Sequence, residues 1–421
     1  MSNKIITTGF CFLLVVCLGT TVTSQPTATP VSQEEKKSAN LVDLEGSIRR
    51  PGEMTRDLQS GWASFLQPGD EVLITLSTEE GSQSEAKVAT PQGHESKKVY
   101  LAKRGHTLRW EVSGGAIKEF SGDSVIWQAP FTPGSQKVSA LMMDEAVFSR
   151  IEPDQNILAE KNILGTFVFH FLVMYPFSPE DSSVIEGYPI GIYPNEKDEN
   201  VREPVFSRRQ AYSPPEYFIK VTPENASFPI SEYFTIGDFV SGDIGEASFI
   251  ALDMTLVERL DSLVEALKKK GVETDGLTIL RGYVSPNRAE FLRRKDVDIS
   301  TFSRLLYGDS VVFIVDANED GQMDDLTGDG KVDDRDFALI ESIVEELESD
   351  TGIYGGLGFY YHFKDPDHED TPCIQIDTRG WRSRWGEQPE ITQETPEETE
   401  SKPEETPVEP EKTETDNETE Q

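Results

Sequence analysis

The segment from Asp316 to Asp336 constrains the folding of this chain more than any other, because it concentrates charges of one sign. Nine of its 21 residues are Asp or Glu, against one Lys and one Arg. Carboxylates held this close together in a folded protein repel each other strongly. A fold that contains this segment is therefore expected to hold a cation among the acidic side chains.

The spacing of these acids is that of two overlapping calcium-binding loops. In the second loop, Asp325 stands at position one of the twelve-residue pattern, Gly330 at its sharp turn and Asp336 at position twelve. The first loop has the same order but ends on Thr327, so it is incomplete. Ca²⁺ binds about six to eight oxygens, and this spacing folds them around one point. The predicted ligands are Asp316, Asn318, Asp320, Gln322 and Asp324 in the first loop, and Asp325, Thr327, Asp329, Lys331, Asp333 and Asp336 in the second.

Three details distinguish these loops from a helix–loop–helix pair. Asp in place of Glu at position twelve resembles dockerin loops, and the overlap of the loops resembles thrombospondin type-3 calcium repeats. A predicted strand, rather than a helix, precedes the first loop. The pattern is compatible with one ion or with two adjacent ions, and the alternative is an acidic surface turn without metal.

The chain as a whole is acidic. Its 421 residues carry a net charge of −37, and the sequence pI is near 4.4. Such a chain repels nucleic acid and anionic membrane surfaces, whereas cations are natural partners. Nucleic acid is therefore not an expected partner.

The N-terminus is typical of an export signal. Lys4 supplies a weak positive start, Phe10–Leu18 is apolar but too short to span a bilayer, and Val22–Ser24 offers small residues for cleavage. We predict a signal peptide over 1–24 and a secreted, periplasmic or cell-envelope location; a buried strand is the alternative. No other segment predicts a transmembrane helix. Cys373 is then the single cysteine of the mature chain, so no intramolecular disulfide is expected.

Short strands separated by Gly, Pro, Ser and Asp follow, a pattern typical of an antiparallel sandwich. Trp110 and Trp127 lie on two of these strands and are expected to face a common core. The sequence around both tryptophans resembles bacterial immunoglobulin-like domains. The predicted strands are Glu71–Leu76, Thr107–Val112, Ser124–Gln128, Lys137–Met142 and Thr166–Tyr175.

The pattern changes from Phe234 onward and predicts an α+β domain. Apolar residues recur at helical spacing after Asp253, a good N-cap, and Gly271 fits the end of that helix. A second amphipathic helix carries Phe337, Ile340, Ile343, Val344 and Leu347. The predicted strands of this domain are Leu277–Leu280, Ser310–Val315, Gly355–Tyr361 and Cys373–Asp377.

The predicted fold class is multidomain, a β-sandwich followed by an α+β domain. After the signal peptide we predict a linker over 25–60, with an ordered strand at its end as the alternative. We then predict an immunoglobulin-like sandwich over 61–177, a connector over 178–230, the α+β domain over 231–386 with the calcium insert 316–336, and a tail over 387–421. The tail is Glu, Thr and Pro with hardly an apolar residue, so we predict disorder. It is either a solubilising tail or a spacer through a cell-wall layer.

Six stretches of the α+β domain stand in a fixed order: Tyr233–Phe239, the helix at Asp253, Arg281–Asn287, Ser303–Val312, Gly355–Tyr360 and Ile374–Trp385. Together they resemble zinc D-Ala-D-Ala carboxypeptidases of the M15 type, which share a fold with the hedgehog signalling domain. The resemblance covers just over a third of the chain. It implies a hedgehog/D,D-peptidase-like fold for this region.

The resemblance places the family's zinc ligands at Leu305, Val312 and Gln375, and its substrate-orienting arginine at Val284. Catalytic zinc needs lone-pair donors and an open position for water. Leu and Val have no lone pairs, and an amide is a poor zinc ligand. We therefore expect Ca²⁺ as the cofactor, no zinc, and a pseudoenzyme.

The expected function is binding or scaffolding at the cell envelope, with a peptidoglycan peptide or an envelope protein as partner. The possible ligand cleft comprises Val284, Ser285, Arg379 and Arg382, although pairing of the arginines with the protein's own acids is favoured. One alternative is an active metallo-D,D-carboxypeptidase with non-standard ligands. Another is a dockerin-like, calcium-dependent assembly module.

Overall fold

The computed structural model describes residues 44–78, 87–90, 93–95, 106–121, 124–144, 163–194 and 212–386. Contacts divide the chain into Met1–Leu41 and Val42–Gln421, and every described residue belongs to the second unit. The predicted signal peptide, most of the predicted linker and the acidic tail lie outside the described residues. The described part is mainly β-sheet with three α-helices. None of these helices is long and apolar enough to cross a membrane.

Residues 44–173 form two sheets that pack face to face around one core. Their strands are β1 Leu44–Arg49, β2 Arg56–Leu58, β3 Ala63–Leu66, β4 Glu71–Thr78, β5 Lys87–Thr90, β6 Gly93–Glu95, β7 His106–Val112, β8 Ala116–Ser121, β9 Ser124–Gln128, β10 Gly134–Asp144 and β11 Ile163–Val173. The strand orders are β2-β1-β4-β9-β8 and β3-β11-β10-β7-β5-β6. Trp110 and Trp127 are both buried in the shared core, as predicted, and Trp127 stacks on Phe171 with ring centroids 4.8 Å apart.

The first sheet begins earlier than the sequence pattern indicates. β1 lies inside the predicted linker 25–60, yet it pairs with β4 along its whole length and with β2 on its other side. The structure thus has the ordered strand that the sequence left as an alternative for the end of this segment, and in its described part the side chains of Ile48 and Leu58 are deeply buried. Apolar residues spaced this widely among polar ones give too weak an alternation to define the strand from sequence.

The predicted connector takes part in the core of the C-terminal region. Its strands, with one that precedes it and one that follows it, are β12 Tyr175–Pro176, β13 Val184–Ile185, β14 Tyr188–Pro189, β15 Tyr217–Val221 and β16 Ser248–Ile250. Ile190 and Phe218 are fully buried there, together with Phe65 from β3. The N–H of Ala63 also donates to the carbonyl of Pro229 at 2.7 Å. A continuous core therefore joins the second sheet of the sandwich to the C-terminal region.

The C-terminal region is an α+β arrangement around a five-stranded sheet. Its elements are α1 Met254–Lys270, β17 Thr278–Arg281, α2 Pro286–Arg293, β18 Ser310–Ile314, α3 Asp334–Thr351, β19 Gly356–Tyr360, β20 Cys373–Asp377 and β21 Ser383–Gly386. The strand order is β17-β18-β20-β19-β21. One face of the sheet packs on α3, where Phe337 stacks on Phe359 with centroids 4.8 Å apart. The opposite face is left to the loops and to the candidate cleft.

Helix α1 begins and ends where its capping signals predict. The side chain of Asp253 accepts the N–H of Thr255 at 2.9 Å, and Gly271 has the left-handed φ of 88° that ends helices. Helix α2 was not predicted, because its eight residues are too few for a clear apolar periodicity.

Candidate metal centre and adjoining cleft

Asp325 organises the backbone of the second predicted calcium loop. Its carboxylate accepts the N–H groups of Thr327, Gly328, Asp329 and Gly330, at 2.7 Å in the case of Gly328. Gly330 has a φ of 89°, which supplies the sharp turn that the pattern requires. The amide of Gly330, helped by those of Gly328 and Asp329, holds the pKa of Asp325 below its usual range. Position one is therefore a carboxylate fixed at the centre of the turn.

Asp336 closes the second loop from the other end. Its buried Oδ1 accepts the N–H of Leu326 at 2.8 Å and of Thr327 at 3.0 Å, and its Oδ2 accepts the N–H of Asp333 at 2.8 Å. Asp333 in turn caps α3 by accepting the N–H of Arg335 at 2.9 Å. Position twelve thus joins the end of the loop to the first turn of the helix.

The first loop is formed in the same way but closes on Asp324. Asp316 accepts the N–H of Asp320 at 3.0 Å and of Gly321 at 2.9 Å. Asp324 accepts the N–H of Ala317 at 2.6 Å. The two loops therefore meet at the adjacent residues 324 and 325, and Thr327 belongs to the second loop.

Met323 ties the calcium insert to the sheet. Its side chain is buried in the core, and its N–H donates to Oγ1 of Thr371 at 3.0 Å. The N–H of Val315 donates to its Sδ at 3.4 Å. Val315 directly follows β18, which carries Val312, and Thr371 precedes β20, which carries Gln375. The hydrogen bonds of Met323 therefore connect the insert to β18 and β20, the strands that carry Val312 and Gln375.

The chemistry of the loops suits a hard cation. The predicted donors are oxygens of carboxylate, amide, hydroxyl and backbone groups, which Ca²⁺ prefers. Among the residues that the structure describes, no three His, Cys, Asp or Glu side chains converge as a metal-holding group. Arg335 Nη1 also donates to Oδ2 of Asp329 at 2.9 Å. The backbone of the predicted loop is thus formed, while the Asp329 side chain pairs with Arg335.

The positions where the resemblance places zinc ligands lie side by side. Val312 and Gln375 are register partners on β18 and β20. Leu305 lies in the short 3₁₀ turn Arg304–Leu306, which contacts β18, and its carbonyl accepts the N–H of Val284 at 3.0 Å. Leu305, Val312 and Val284 are all buried. Apolar side chains therefore fill the place where the resemblance puts a metal.

The polar residues of the predicted cleft are engaged inside the protein. Ser285 is buried and caps α2 with its side chain. Arg379 forms an ion pair with Asp377, and Arg382 Nε lies 3.1 Å from Oε2 of Glu348. Both arginines thus pair with the protein's own carboxylates.

The other nucleophile and metal-ligand candidates are two histidines in the loop before β20 and Cys373 on β20, two residues from Gln375. His362 is 71 % exposed, and its Nδ1 is 3.0 Å from Asp370. The ring of His368 lies against Phe363, with centroids 6.1 Å apart. Burial raises the pKa of the Cys373 thiol to about 12, which keeps it protonated.

Sequence patterning missed the residues that surround Gln375. Arg281, Val312, Gln375, Gly358 and Trp385 are successive register partners across the five strands. Register partners point to the same face of a sheet, so these residues form one row. The signal that would have indicated this row is the alternation Gly356-Leu-Gly358 opposite a Trp-bearing strand, since glycine in a strand permits close approach of a bulky group.

A chain of hydrogen bonds crosses the same face. Trp385 Nε1 donates to Oη of Tyr360 at 2.7 Å, and this hydroxyl donates to Oε1 of Gln375 at 3.5 Å. Gln375 Nε2 donates to Oγ of Ser310 at 3.1 Å. The amide oxygen of Gln375 therefore bonds to Tyr360 and its amide nitrogen to Ser310.

Comparisons with models of known protein families, with curated proteins and with solved structures found no match for this chain. The M15-type and immunoglobulin-like resemblances therefore stay predictions. The features of this chain that bear on its function are the predicted calcium loops and the predicted cleft beside them.

Proposed function

We propose that this chain is a non-catalytic, exported, calcium-binding protein. In this proposal an immunoglobulin-like sandwich precedes a degenerate hedgehog/D,D-peptidase-like domain over 231–386. Its role is binding or scaffolding at the cell envelope, with a peptidoglycan peptide as the first candidate ligand. The observation that carries the proposal is the burial of Leu305, Val312 and Val284, of which Val312 is the register partner of Gln375 and the other two share a backbone hydrogen bond.

These side chains favour binding over hydrolysis. A zinc hydrolase of this class needs several lone-pair donors around the metal and an open position for water. Leu305 and Val312 offer none, and the amide of Gln375 is already bonded to Tyr360 and Ser310. A binding role requires only a shaped surface with a few polar groups.

Calcium enters the proposal as a structural ion. Its loops are anchored through Met323 to Thr371 and Val315, next to the strands of the cleft. An ion that binds the folded loops but not the unfolded chain stabilises the folded state by mass action. Calcium would therefore keep the cleft in its binding form without taking part in chemistry.

We expect the chain without its signal peptide to cosediment with purified peptidoglycan sacculi in Ca²⁺ and to release no D-Ala from a pentapeptide muropeptide. Chelation should weaken cosedimentation, because the strands of the cleft lose the support of the insert. Asp325→Asn should reproduce this weakening in Ca²⁺. Glu319→Gln removes the same charge from a residue outside the predicted ligand set, and it should behave like the unmodified chain.

Two results would contradict the proposal in different ways. Release of D-Ala in proportion to bound zinc would show that the chain is an enzyme. If a chain that is shown to be folded does not sediment with sacculi in Ca²⁺, peptidoglycan is excluded as its ligand.

A further inference from the structure

An aromatic ring is held in a fixed position at the edge of the C-terminal sheet. The indole of Trp385 spans two glycines of β19, with its six-membered ring beside Gly356 and its five-membered ring beside Gly358. A Cβ atom at either glycine would overlap the ring. The indole is nonetheless partly exposed. Its orientation is therefore set by the sheet before any ligand binds, which reduces the entropy cost of binding.

Polar side chains surround this ring on the same face. Trp385 Nε1 donates to the hydroxyl of Tyr360, which donates in turn to Gln375. Tyr360 and Gln375 are also partly exposed. Beyond these internal bonds the Gln375 amide keeps a second N–H and the Tyr360 oxygen a second lone pair, so together they suit a ligand with several hydroxyl groups.

Arg379 links Trp385 to a second tryptophan. Its guanidinium carbon lies 4.8 Å from the ring centroid of Trp385 and 5.8 Å from that of Trp381. Planar guanidinium groups favour such contacts with aromatic faces. The buried carboxylate of Asp377 pairs with Arg379, so this ion pair adds no net charge beside the two tryptophans.

The geometry points to a binding platform for an uncharged glycan, formed by Trp381, Trp385, Tyr360, Gln375 and Arg379. A pyranose ring has an apolar C–H face that suits an aromatic ring, and a rim of hydroxyls that suits amide, phenol and guanidinium groups. A neutral ligand also avoids the repulsion that a chain of net charge −37 exerts on anions. This inference rests on the proposed envelope role and deepens it, because it names the glycan as the part bound.

The platform fits a proline-rich peptide less well. Such peptides dock in aromatic-lined grooves as extended helices, and their recognition rests mainly on apolar contact. The bonded series Trp385, Tyr360 and Gln375 supplies hydrogen-bonding groups that a hydroxylated ligand uses and a proline side chain does not.

The test is titration of the calcium-loaded chain with chitotetraose, followed by calorimetry and tryptophan fluorescence. We expect saturable binding and a fluorescence change, since Trp381 and Trp385 lie in the platform. Trp110 and Trp127 are buried in the sandwich core, and Trp62 packs against that core. Gly358→Ala should displace the indole and weaken binding at least tenfold. Gly276→Ala is the matched control, because a Cβ there meets no atom within 4 Å, and it should bind normally.

Tyr360→Phe keeps the platform testable if Gly358→Ala does not fold. It removes one hydroxyl from the hydrogen-bonded series and should weaken chitotetraose binding severalfold in a chain that remains folded by circular dichroism. A folded, unmodified chain that shows no saturable response to chitotetraose would overturn the inference. Binding of a proline-rich decapeptide in place of chitotetraose would overturn it as well.

The outcome is separable from that of the proposed envelope role. Cosedimentation with sacculi without chitotetraose binding would remove the glycan platform and leave the envelope role standing. Chitotetraose binding without cosedimentation would remove the envelope role and leave the glycan platform standing.

Discussion

Removal of calcium is expected to lower the melting midpoint of this chain by roughly 5–10 °C. Calcium at about a hundred times its dissociation constant stabilises a folded site by about 2.7 kcal/mol. For a region of this size, each kcal/mol shifts the midpoint by roughly 2–4 °C. Without the ion, the nine acidic side chains of the insert repel each other, and the anchor at Met323 transmits the loss to β18 and β20.

Differential scanning calorimetry with calcium and with chelator measures this shift. Asp325→Asn should remove the difference between the two conditions, because Asp325 holds the centre of the second loop. Glu319→Gln should retain most of the difference. A midpoint that is the same with and without chelator would show that the insert is an acidic turn without metal.

Replacement of Glu348 by Ala is expected to destabilise the fold by about 3–5 kcal/mol, the usual cost of breaking a buried ion pair. Glu348 is 1 % exposed on α3, and its Oε1 lies 2.9 Å from Nη2 of Arg259, which is 5 % exposed on α1. The same carboxylate also pairs with Arg382 and Arg384. Its loss would leave the guanidinium of Arg259 buried without a counter-charge.

Chemical denaturation of the variant measures this effect, and Glu346→Ala is the control. Glu346 lies on the same helix and pairs with Lys270 at 2.8 Å, but both side chains are exposed, at 60 % and 41 %. Exposed pairs contribute about 1 kcal/mol or less. Equal destabilisation by the two variants would mean that the buried pair does not hold α1 and α3 together.

The contribution of Glu348 should also depend on pH. Burial by itself would raise its pKa, but Arg259, Arg384 and the N–H of Gly355 outweigh burial and hold the pKa below the usual 4.5. A carboxyl whose pKa is lower in the folded state stabilises the fold above its unfolded pKa, and this stabilisation is lost as the pH falls through the folded pKa. The gap between the unmodified chain and Glu348→Ala should therefore narrow as the pH falls below about 4.5.

Those parts of the fold with local chemical signals could be predicted from the sequence. Helix α1 is marked by Asp253 at its start and Gly271 at its end, and both cap as expected. Strand β20 is bounded as predicted at Cys373–Asp377, because its apolar run is short and continuous. The backbone of the second calcium loop follows the spacing from Asp325 to Asp336, since its hydrogen bonds join residues close in sequence.

The parts that escaped prediction depend on distant contacts. Glu348 stands in an acidic helical stretch that is typical of a solvated face, and its burial depends on Arg259, 89 residues earlier. The row from Arg281 to Trp385 depends on the register of five strands, which sequence periodicity does not specify. The pairing of β1 could not be predicted for the same reason, because its partner β4 lies beyond two intervening strands, β2 and β3.

Elemental analysis of the purified chain tests the central claim most directly. The claim is that the cleft at Leu305, Val312 and Gln375 holds no transition metal, while oxygens of the adjoining insert bind an alkaline-earth ion. After dialysis against equal concentrations of Ca²⁺ and Zn²⁺, we expect about one or two calcium ions per chain and zinc far below one. One zinc per chain, together with cleavage of a D-Ala-terminated peptide, would contradict the account.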